Sequence, residues 1–439
     1  MAAASFAVVS IAVAAADLRA QVAHQHEPST RIEGPPVSLQ SVLQEALEHN
    51  PELSALRDQI AVAKQRPAQE RGLAPPTAEA QIWQWPIDSF NPADTNMYMF
   101  MVGQDLPGRG KRDARAAVAE KGIALAEADV TIRARQIVNE IKQAYAALFI
   151  ARKAAEVHLA SVELLREIAD AAQARYTAGR VSQADVLKPV VELSRLHSDV
   201  IMHDQEAGLA SARLNMLLNR LPETPIGPLE DPREEMLLPA SADLQRLAIE
   251  RQPELQRARL EIERAESELA SARLERKPDF VVQGGYMVTP NQTDGVLARV
   301  GITWPNAPWS RGRIDAKIAE QSAAVVTARS RERAMENLVR LAVQEAYVRL
   351  HAAQERASLL RTTILPQSRQ AFDVSRVAYQ SDRADFSTIL DSERALLDSR
   401  LEYFRALADF TQAMADLERA IGTELPAGTT MRVPASEGQ

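Results

Sequence analysis

The chain has 439 residues, with 51 Lys or Arg against 59 Asp or Glu and a formal net charge of −8. This mildly acidic balance, with basic residues interspersed among acidic ones, argues against nucleic-acid binding. The absence of Cys excludes disulfides, cysteine-based metal sites and thiol chemistry. Glycine is scarce and Ala, Leu, Glu, Arg and Gln dominate, which favours long helices.

The first residues predict an export signal. The apolar run Phe6–Ala16 has the length of a signal-peptide core and is too short to cross a bilayer as a helix. Small residues follow it, although no Lys or Arg precedes it. We therefore expect a signal peptide over residues 1–23, with a structural N-terminal helix as the alternative, and a flexible leader over residues 24–37. His24 and His26 in this leader could contact a metal, but two histidines without a third ligand do not define a site.

The chain contains an internal duplication. Residues Val42–Pro76 reappear as Leu244–Pro278, at a spacing of 202 residues and without a gap. The matches continue with Arg109-Gly110-Lys111 over Arg311-Gly312-Arg313, Tyr145 over Tyr347 and, after one inserted residue, Tyr176 over Tyr379. A repeat of this extent predicts two copies of one structural unit.

The duplication defines the expected domains. The first repeat covers residues 38–220 and the second covers residues 242–425. A Pro-rich linker, residues 221–241, separates them, and residues 426–439 are expected to form a disordered tail. Each repeat is expected to contain an opening helix, a β-hairpin and a long helical hairpin.

Each copy opens with a helix and continues into two short strands. The opening helices are predicted to begin near Leu39 and Ala242 and to run to the stops marked by Pro75-Pro76 and by Pro278. Alternating stretches rich in aromatic and β-branched residues then predict hairpins at 77–106 and 279–305. Their strands of roughly ten residues match the length that crosses a bilayer in a β-barrel.

The longest predicted helix covers Asp113–Tyr176, because this stretch lacks proline and repeats apolar residues every seven positions. Its counterpart covers Ile314–Tyr379, where Pro366 should kink or split it. Return helices are expected over Ser182–Asn219 and Phe386–Ile421. The seven-residue spacing predicts coiled-coil packing against neighbouring helices.

Two hairpins cannot close a sheet, and exposed sheet edges are a liability. In lipid, only a closed barrel satisfies all backbone groups of a sheet. Several chains must therefore contribute strands, and four strands from each of three chains would make a barrel of twelve, an allowed size. The strand number follows from the sequence, whereas the number of chains does not.

The ordered and duplicated motifs resemble the TolC-like outer-membrane efflux protein family, also called outer-membrane factors. The motifs are ALEHNPEL and LAIERQPEL, DLPGRGKR and WPNAPWSRGRI, and ARYTAGRVSQADVLKPVVEL and VAYQSDRADFSTILDSERAL. The resemblance implies a mainly α fold with a small β part. Duplicated long α-helical hairpins would form a trimeric α-barrel capped by a 12-strand transmembrane β-barrel.

The resemblance also implies a passive exit duct in the outer membrane, with its helical body in the periplasm. Its partners would be two further copies of the chain, a periplasmic adaptor (membrane fusion protein), an inner-membrane resistance–nodulation–division pump and outer-membrane lipid. The corner Gly108–Arg112 resembles that of the heavy-metal branch, so metal cations are the expected cargo. Drug or organic-solute efflux and type I secretion are alternatives, and a periplasmic adaptor or coiled-coil scaffold is a further one. No cofactor, resident metal or catalytic set is expected.

In the family, acidic residues just after the inter-helix turns close the periplasmic end. The positions that match here are Asp185, Lys188, Thr388 and Asp391, with the two copies differing in charge. A charged constriction would select cations. The alternative is that an Asp near a helix start only caps the helix or complements its dipole.

Aromatic residues near the strand ends suggest a girdle at the membrane interfaces. They are Trp83, Trp85, Tyr98 and Trp304. An ordinary packed core is the alternative for these tryptophans.

Three methionines, Met97, Met99 and Met101, alternate with apolar residues on the second predicted strand. We interpret them as part of an apolar, lipid-facing strand. The alternative is that their thioethers, which are soft ligands, bind Cu(I).

Overall fold

A computed structural model describes residues 36–232, 238–290, 292–381 and 383–425. The helices are α1 (Leu39–His49), α2 (Pro51–Arg71), α3 (Lys111–Thr177), α4 (Gln183–Leu217), α5 (Ser241–Arg251), α6 (Pro253–Leu274), α7 (Arg311–Leu359), α8 (Leu365–Gln380) and α9 (Phe386–Ile421). The strands are β1 (Thr77–Trp83), β2 (Met97–Leu106), β3 (Phe280–Val288) and β4 (Gly295–Ile302). The predicted signal peptide, His24, His26 and the predicted tail lie outside the described residues.

The chain divides into two compact units. The first consists of Met1–Pro51, Arg135–Arg246 and Ala342–Gln439, and the second of Glu52–Ala134 and Leu247–Leu341. The first unit contains the ends of the long helical hairpins, and the second contains all four strands. Each unit draws on both copies of the repeat. The duplication therefore does not correspond to two separate domains.

The opening helix of each copy is broken, contrary to the prediction of a continuous helix. Helix α1 stops before Asn50, which has an extended backbone (φ −68°, ψ 124°), and α2 starts at Pro51. In the second copy, Gln252 is likewise extended (φ −66°, ψ 118°), and α6 starts at Pro253. Proline disfavours the α conformation in the residue before it and lacks an N–H donor. A proline at the first turn of a helix is well tolerated, so both breaks fall at the same place in the repeat.

The two predicted hairpins are confirmed and join into one sheet. All neighbouring strands are antiparallel, in the order β1-β2-β3-β4. The junction between the copies is the β2–β3 pair, in which Phe100 lies opposite Tyr286. Within the described chain, β1 and β4 are the sheet's outer strands, each paired on one side only.

The long helices differ between the copies. Helix α3 is continuous, whereas α7 is followed by a π-helical turn, Leu360–Ile364, and then by α8 with Pro366 in its first turn. The repeat spacing grows from 202 at Tyr347 to 203 at Tyr379, and the π turn lies between these residues. A π turn takes up one additional residue in a helix. The predicted interruption at Pro366 is confirmed, and the turn accounts for the inserted residue.

The core of the first unit joins both helical hairpins. Leu165 of α3, Leu196 of α4, Phe372 of α8 and Leu390 and Leu397 of α9 belong to one buried apolar cluster. The heptad-spaced residues thus pack helix against helix, as predicted. None of the helices, over the residues the structure describes, has the length and apolarity of a membrane-spanning helix.

Candidate functional site

The strand register gives the sheet two chemically different faces. In all three strand pairs, even-numbered residues lie opposite even-numbered residues. Because side chains alternate along a strand, the even-numbered residues share one face, which we call the apolar face. It carries no charged residue, and most of its large apolar side chains are exposed: Ile82, Phe100, Val102, Phe280, Val282, Tyr286, Val296, Val300 and Ile302.

The odd-numbered residues form the opposite face, which we call the methionine face. Its polar residues are Thr77, Glu79, Gln81, Asp105, Gln283 and Arg299. It also carries Met97, Met99, Met101 and Met287, all of which are half-buried. The β2 methionines alternate with the residues of the apolar face and therefore lie on the opposite face of the sheet. Their interpretation as lipid-facing stays a prediction. Residues 97–102 of β2 are apolar at both odd and even positions, so the sequence of this strand alone does not show which of them belong to the apolar face.

The predicted girdle residues lie at the two ends of the strands. Tyr98 is on the apolar face, whereas Trp83 is opposite Met97 on the methionine face. Trp85 follows β1, and Trp304 follows β4, where its ring meets that of Trp309 at 6.4 Å between centroids. Trp83 is thus on the face where a girdle residue is not expected. The girdle assignment stays a prediction.

The corner between β2 and α3 is held by a buried lysine. Lys111 is 2% exposed, and its Nζ donates to Asp279 Oδ2 at 2.9 Å. The Gly108 amide donates to the other oxygen of that carboxylate at 2.7 Å. A side chain on Gly108 would place Cβ 2.5 Å from the Pro278 carbonyl oxygen, so the approach requires glycine. Partial burial alone would raise the pKa of Asp279, but these two hydrogen bonds and the lysine charge outweigh it and lower the pKa.

The equivalent corner of the second copy lacks this arrangement. Arg313, which matches Lys111 in the repeat, is exposed, and Thr77 stands where the repeat places Asp279. Ala307 is buried instead, and its carbonyl accepts the Arg311 amide at 2.9 Å. The first corner is thus built around a buried lysine, whereas the second uses exposed ion pairs of Asp315 with Arg276 and Arg311, at 2.7 and 3.4 Å.

The first inter-helix turn, between α3 and α4, contains two of the predicted gate residues. Asp185 accepts hydrogen bonds from the amide and the hydroxyl of Ser182, at 3.2 and 2.7 Å. Lys188 Nζ lies 3.8 Å from Asp185 Oδ1 and donates to the Ser387 hydroxyl at 3.1 Å. Asp185 therefore has a helix-capping contact, and Lys188 links α4 to the start of α9.

The second turn arranges its residues differently. Asp385 caps α9 by accepting from the amide and the hydroxyl of Thr388, at 2.9 and 2.5 Å, and these bonds lower the pKa of Asp385. Asp391 is 74% exposed and lies 3.9 Å from Arg394. Arg394 also binds Glu192 of α4 with two hydrogen bonds, at 3.0 and 2.6 Å. Of the predicted gate residues, Asp391 is thus an exposed carboxylate without a capping role.

Several tip contacts were not predicted from the sequence. Arg175 donates to the Tyr379 carbonyl at 2.7 Å, and its guanidinium lies 4.3 Å from the centre of the Tyr379 ring. The Glu192–Arg394 pair also joins residues far apart in sequence. The pairs Asp185 with Lys188 and Asp391 with Arg394, each three residues apart on one helix, had a local signal.

The first unit also buries polar side chains between its helices. His158 of α3 and His203 of α4 are 5% and 7% exposed, and their rings stack at 5.1 Å between centroids. Burial and the neighbouring His203 lower the pKa of His158. Glu393 of α9 is 2% exposed, and its burial raises its pKa. No group of three or more His, Cys, Asp or Glu side chains suited to holding a metal ion occurs in the described part of the chain.

The chain shares both its sequence pattern and its fold with known proteins. Residues 42–220 and 244–423 match the family model of the outer membrane efflux protein. The cobalt-zinc-cadmium resistance protein CzcC of Cupriavidus metallidurans is 22% identical over 293 residues, which cover 65% of this chain and 68% of CzcC. The outer-membrane channel OprN superposes with a TM-score of 0.74 at 19% identity, covering 88% of this chain and 89% of OprN.

A crystal structure of CusC, described in terms of folding and transmembrane channel formation, superposes with a TM-score of 0.72 at 15% identity, covering 88% of this chain and 92% of CusC. The predicted fold class, mainly α with a small antiparallel sheet, is confirmed. Because the family model accounts for two copies of its unit and most of the chain, the protein belongs to the outer membrane efflux protein family, whose members are passive transport ducts rather than enzymes.

Proposed function

We propose that the protein is the outer-membrane channel of a tripartite efflux system. Three copies form the duct, and each contributes four strands to a twelve-strand barrel. The helical body lies in the periplasm and receives cargo from an inner-membrane resistance–nodulation–division pump through a periplasmic adaptor. Heavy-metal cations are the proposed cargo, and the name of the relative CzcC supports this choice.

The observation that carries the proposal is the chemistry of the sheet. Its apolar face lacks charge and is exposed, while the opposite face holds Glu79, Gln81 and Arg299. Transmembrane barrels place apolar residues toward lipid and polar residues toward the lumen. The free edges of β1 and β4 would pair between neighbouring copies, which removes the open edges.

Localisation and cargo are tested in the native host. The protein should be extracted from the outer-membrane fraction only with detergent, and recovery as a soluble periplasmic protein would contradict the channel. Deleting the gene should lower tolerance to one or more of copper, cobalt, zinc and cadmium and leave tolerance to lipophilic drugs unchanged. Loss of drug tolerance alone would replace the metal cargo with organic solutes.

The gate is proposed to depend on Asp391 more than on Asp185, because Asp391 is exposed and does not cap a helix. Asp391→Ala should reduce the preference of the channel for cations in planar bilayers and make closed states rarer. Asp373→Ala is a matched control, since Asp373 is also exposed and pairs with an arginine three residues later, Arg376, at 3.4 Å. Equal conductance and selectivity in both variants would remove Asp391 from the gate.

A further inference from the structure

The methionine face carries an unusual concentration of thioethers. Met97, Met99 and Met101 lie on β2, and Met287 lies on β3 directly opposite Met99. Four of the chain's 11 methionines therefore occupy one small region of one sheet face. Directly opposite side chains have Cβ atoms about 5 Å apart. Successive methionines on β2 are separated by ~7 Å, so an ion held between Met99 and Met287 has one further thioether on each side along β2.

Glycines on the neighbouring strands leave room for these long side chains. A Cβ on Gly285 would lie 2.9 Å from Cγ of Met101, and a Cβ on Gly295 would lie 2.9 Å from Cε of Met287. Both methionines thus extend over a neighbouring strand where a larger residue would displace them. Methionine is flexible, and its sulfur can reorient within such a space.

The neighbours across β1 are polar. Glu79 lies opposite Met101, and Gln81 lies opposite Met99. A carboxylate beside neutral thioethers supplies negative charge near a bound cation without replacing the soft ligands. If the four methionines only filled apolar space, the apolar face would be the expected place for them. They instead share their face with the sheet's charged residues.

We propose that Met97, Met99, Met101 and Met287 form a binding station for a soft monovalent cation, Cu(I) or Ag(I), on the wall of the export path. The position on the path rests on the proposed function, because the apolar face then contacts lipid and the methionine face lines the lumen. Thioethers are neutral at all pH values and favour soft ions over Zn²⁺ or Co²⁺. A site in a conducting pore must bind weakly enough to release its ion, and a few half-buried thioethers meet that condition.

The test uses the purified full chain in detergent with Ag⁺ as the probe. Isothermal titration calorimetry should detect Ag⁺ binding to the wild-type protein. A variant with all four face methionines changed to leucine should bind Ag⁺ about tenfold more weakly or not at all, because the soft ligands are gone. The matched control changes four helix methionines to leucine, Met202, Met216, Met335 and Met414, and should bind as the wild type does.

A second measurement does not depend on the fourfold variants folding. In wild-type protein carrying methyl-¹³C methionine, Ag⁺ should shift four methyl resonances, assigned by single Met→Leu changes, and Zn²⁺ should shift none of them. Unchanged face-methionine resonances, or equal Ag⁺ binding by the two fourfold variants, would overturn the station. Channel conductance of the same preparations tests the duct separately, so a conducting channel without Ag⁺ binding contradicts only this inference.

Discussion

The two copies of the repeat build the same helix pairs with different cores. In the first copy His158 of α3 stacks on His203 of α4. The repeat places Leu360 and Ala406 at the equivalent positions of the second copy, and these residues share a buried apolar cluster. The architecture therefore does not require buried imidazoles between these helices. An apolar pair fills the same place without the cost of burying polar groups.

The corners show the same contrast. Lys111 is buried against Asp279 in one copy, and Arg313 is exposed in the other. Lys111 and Asp279 come from different copies, so their contact fixes the first corner to the start of the second hairpin. The comparison shows that the copies differ both in a core within one copy and in a contact that joins the two copies, while the backbone plan is the same.

The largest expected effect is the difference between two single-residue deletions in the second long helix. Deleting Thr363 should convert the π turn to regular helix and make this helical stretch equal in length to that of the first copy, with little loss of thermal stability. Deleting Thr327, which lies in regular α7, rotates the following residues by about 100° and should move buried Val343 and Leu350 out of the core.

Thermal unfolding and recovery of folded oligomer from membranes measure both deletions. The Thr327 deletion should abolish recovery, whereas the Thr363 deletion should be recovered at near wild-type level. Equal damage by the two deletions would mean that the π turn does not hold the additional residue.

A smaller effect is expected at the corner. Lys111→Met should lower the free energy of unfolding by roughly 2–3 kcal/mol, because Asp279 loses its buried partner. This is less than the roughly 3–5 kcal/mol for a fully buried pair, since the Asp279 side chain is 38% exposed and can be hydrated. Chemical denaturation provides the measurement. Arg313→Met is the matched control and should change stability by less than about 0.5 kcal/mol, as for an exposed residue.

Acid should weaken the same contact. The folded state lowers the pKa of Asp279. The ionised carboxylate therefore contributes fully to the free energy of unfolding above the ordinary Asp pKa, and this contribution is lost as pH falls below that value. The difference between wild type and Lys111→Met should therefore shrink in strongly acidic solution. A difference that is independent of pH would contradict the ion pair.

Much of the fold follows from local patterns. The predicted return helix Phe386–Ile421 has the bounds that the structure gives it, and Pro366 marks the break in the second long helix. Heptad spacing and proline act over a few residues, so one sequence suffices to detect them. The breaks before Pro51 and Pro253 were missed because the apolar pattern continues through both prolines.

The site was less predictable, because its contacts join distant parts of the chain. Lys111 and Asp279 are 168 residues apart in the sequence, and Arg175 of α3 donates a hydrogen bond to Tyr379 of α8. The alternation on β2 showed that Met99 and Phe100 face opposite ways. Assigning each to a face required the pairing with β1 and β3, which no local pattern supplies.

The smallest predicted effect is a pH dependence specific to the first copy. Burial and His203 lower the pKa of His158 in the folded state, against an attraction from Asp199 and Asp398 that raises it, and Glu206 contacts His203 at 2.9 Å. The unfolded chain then binds more protons than the folded chain below about pH 6.5, the ordinary His value. Stability should fall as pH drops from 6.5 toward the lower folded pKa, by up to about 1.4 kcal/mol per pH unit.

Replacing the pair by its counterpart from the second copy tests this assignment. The double variant His158→Leu, His203→Ala should lose the decline in unfolding temperature between pH 7.5 and pH 5.5, because the apolar pair binds no proton in either state. His351→Ala, at an exposed position on α7, is the control and should keep the wild-type decline. If the double variant and the wild type weaken in parallel on acidification, the buried histidines do not cause the pH dependence. The contrast between the two cores would then concern packing alone.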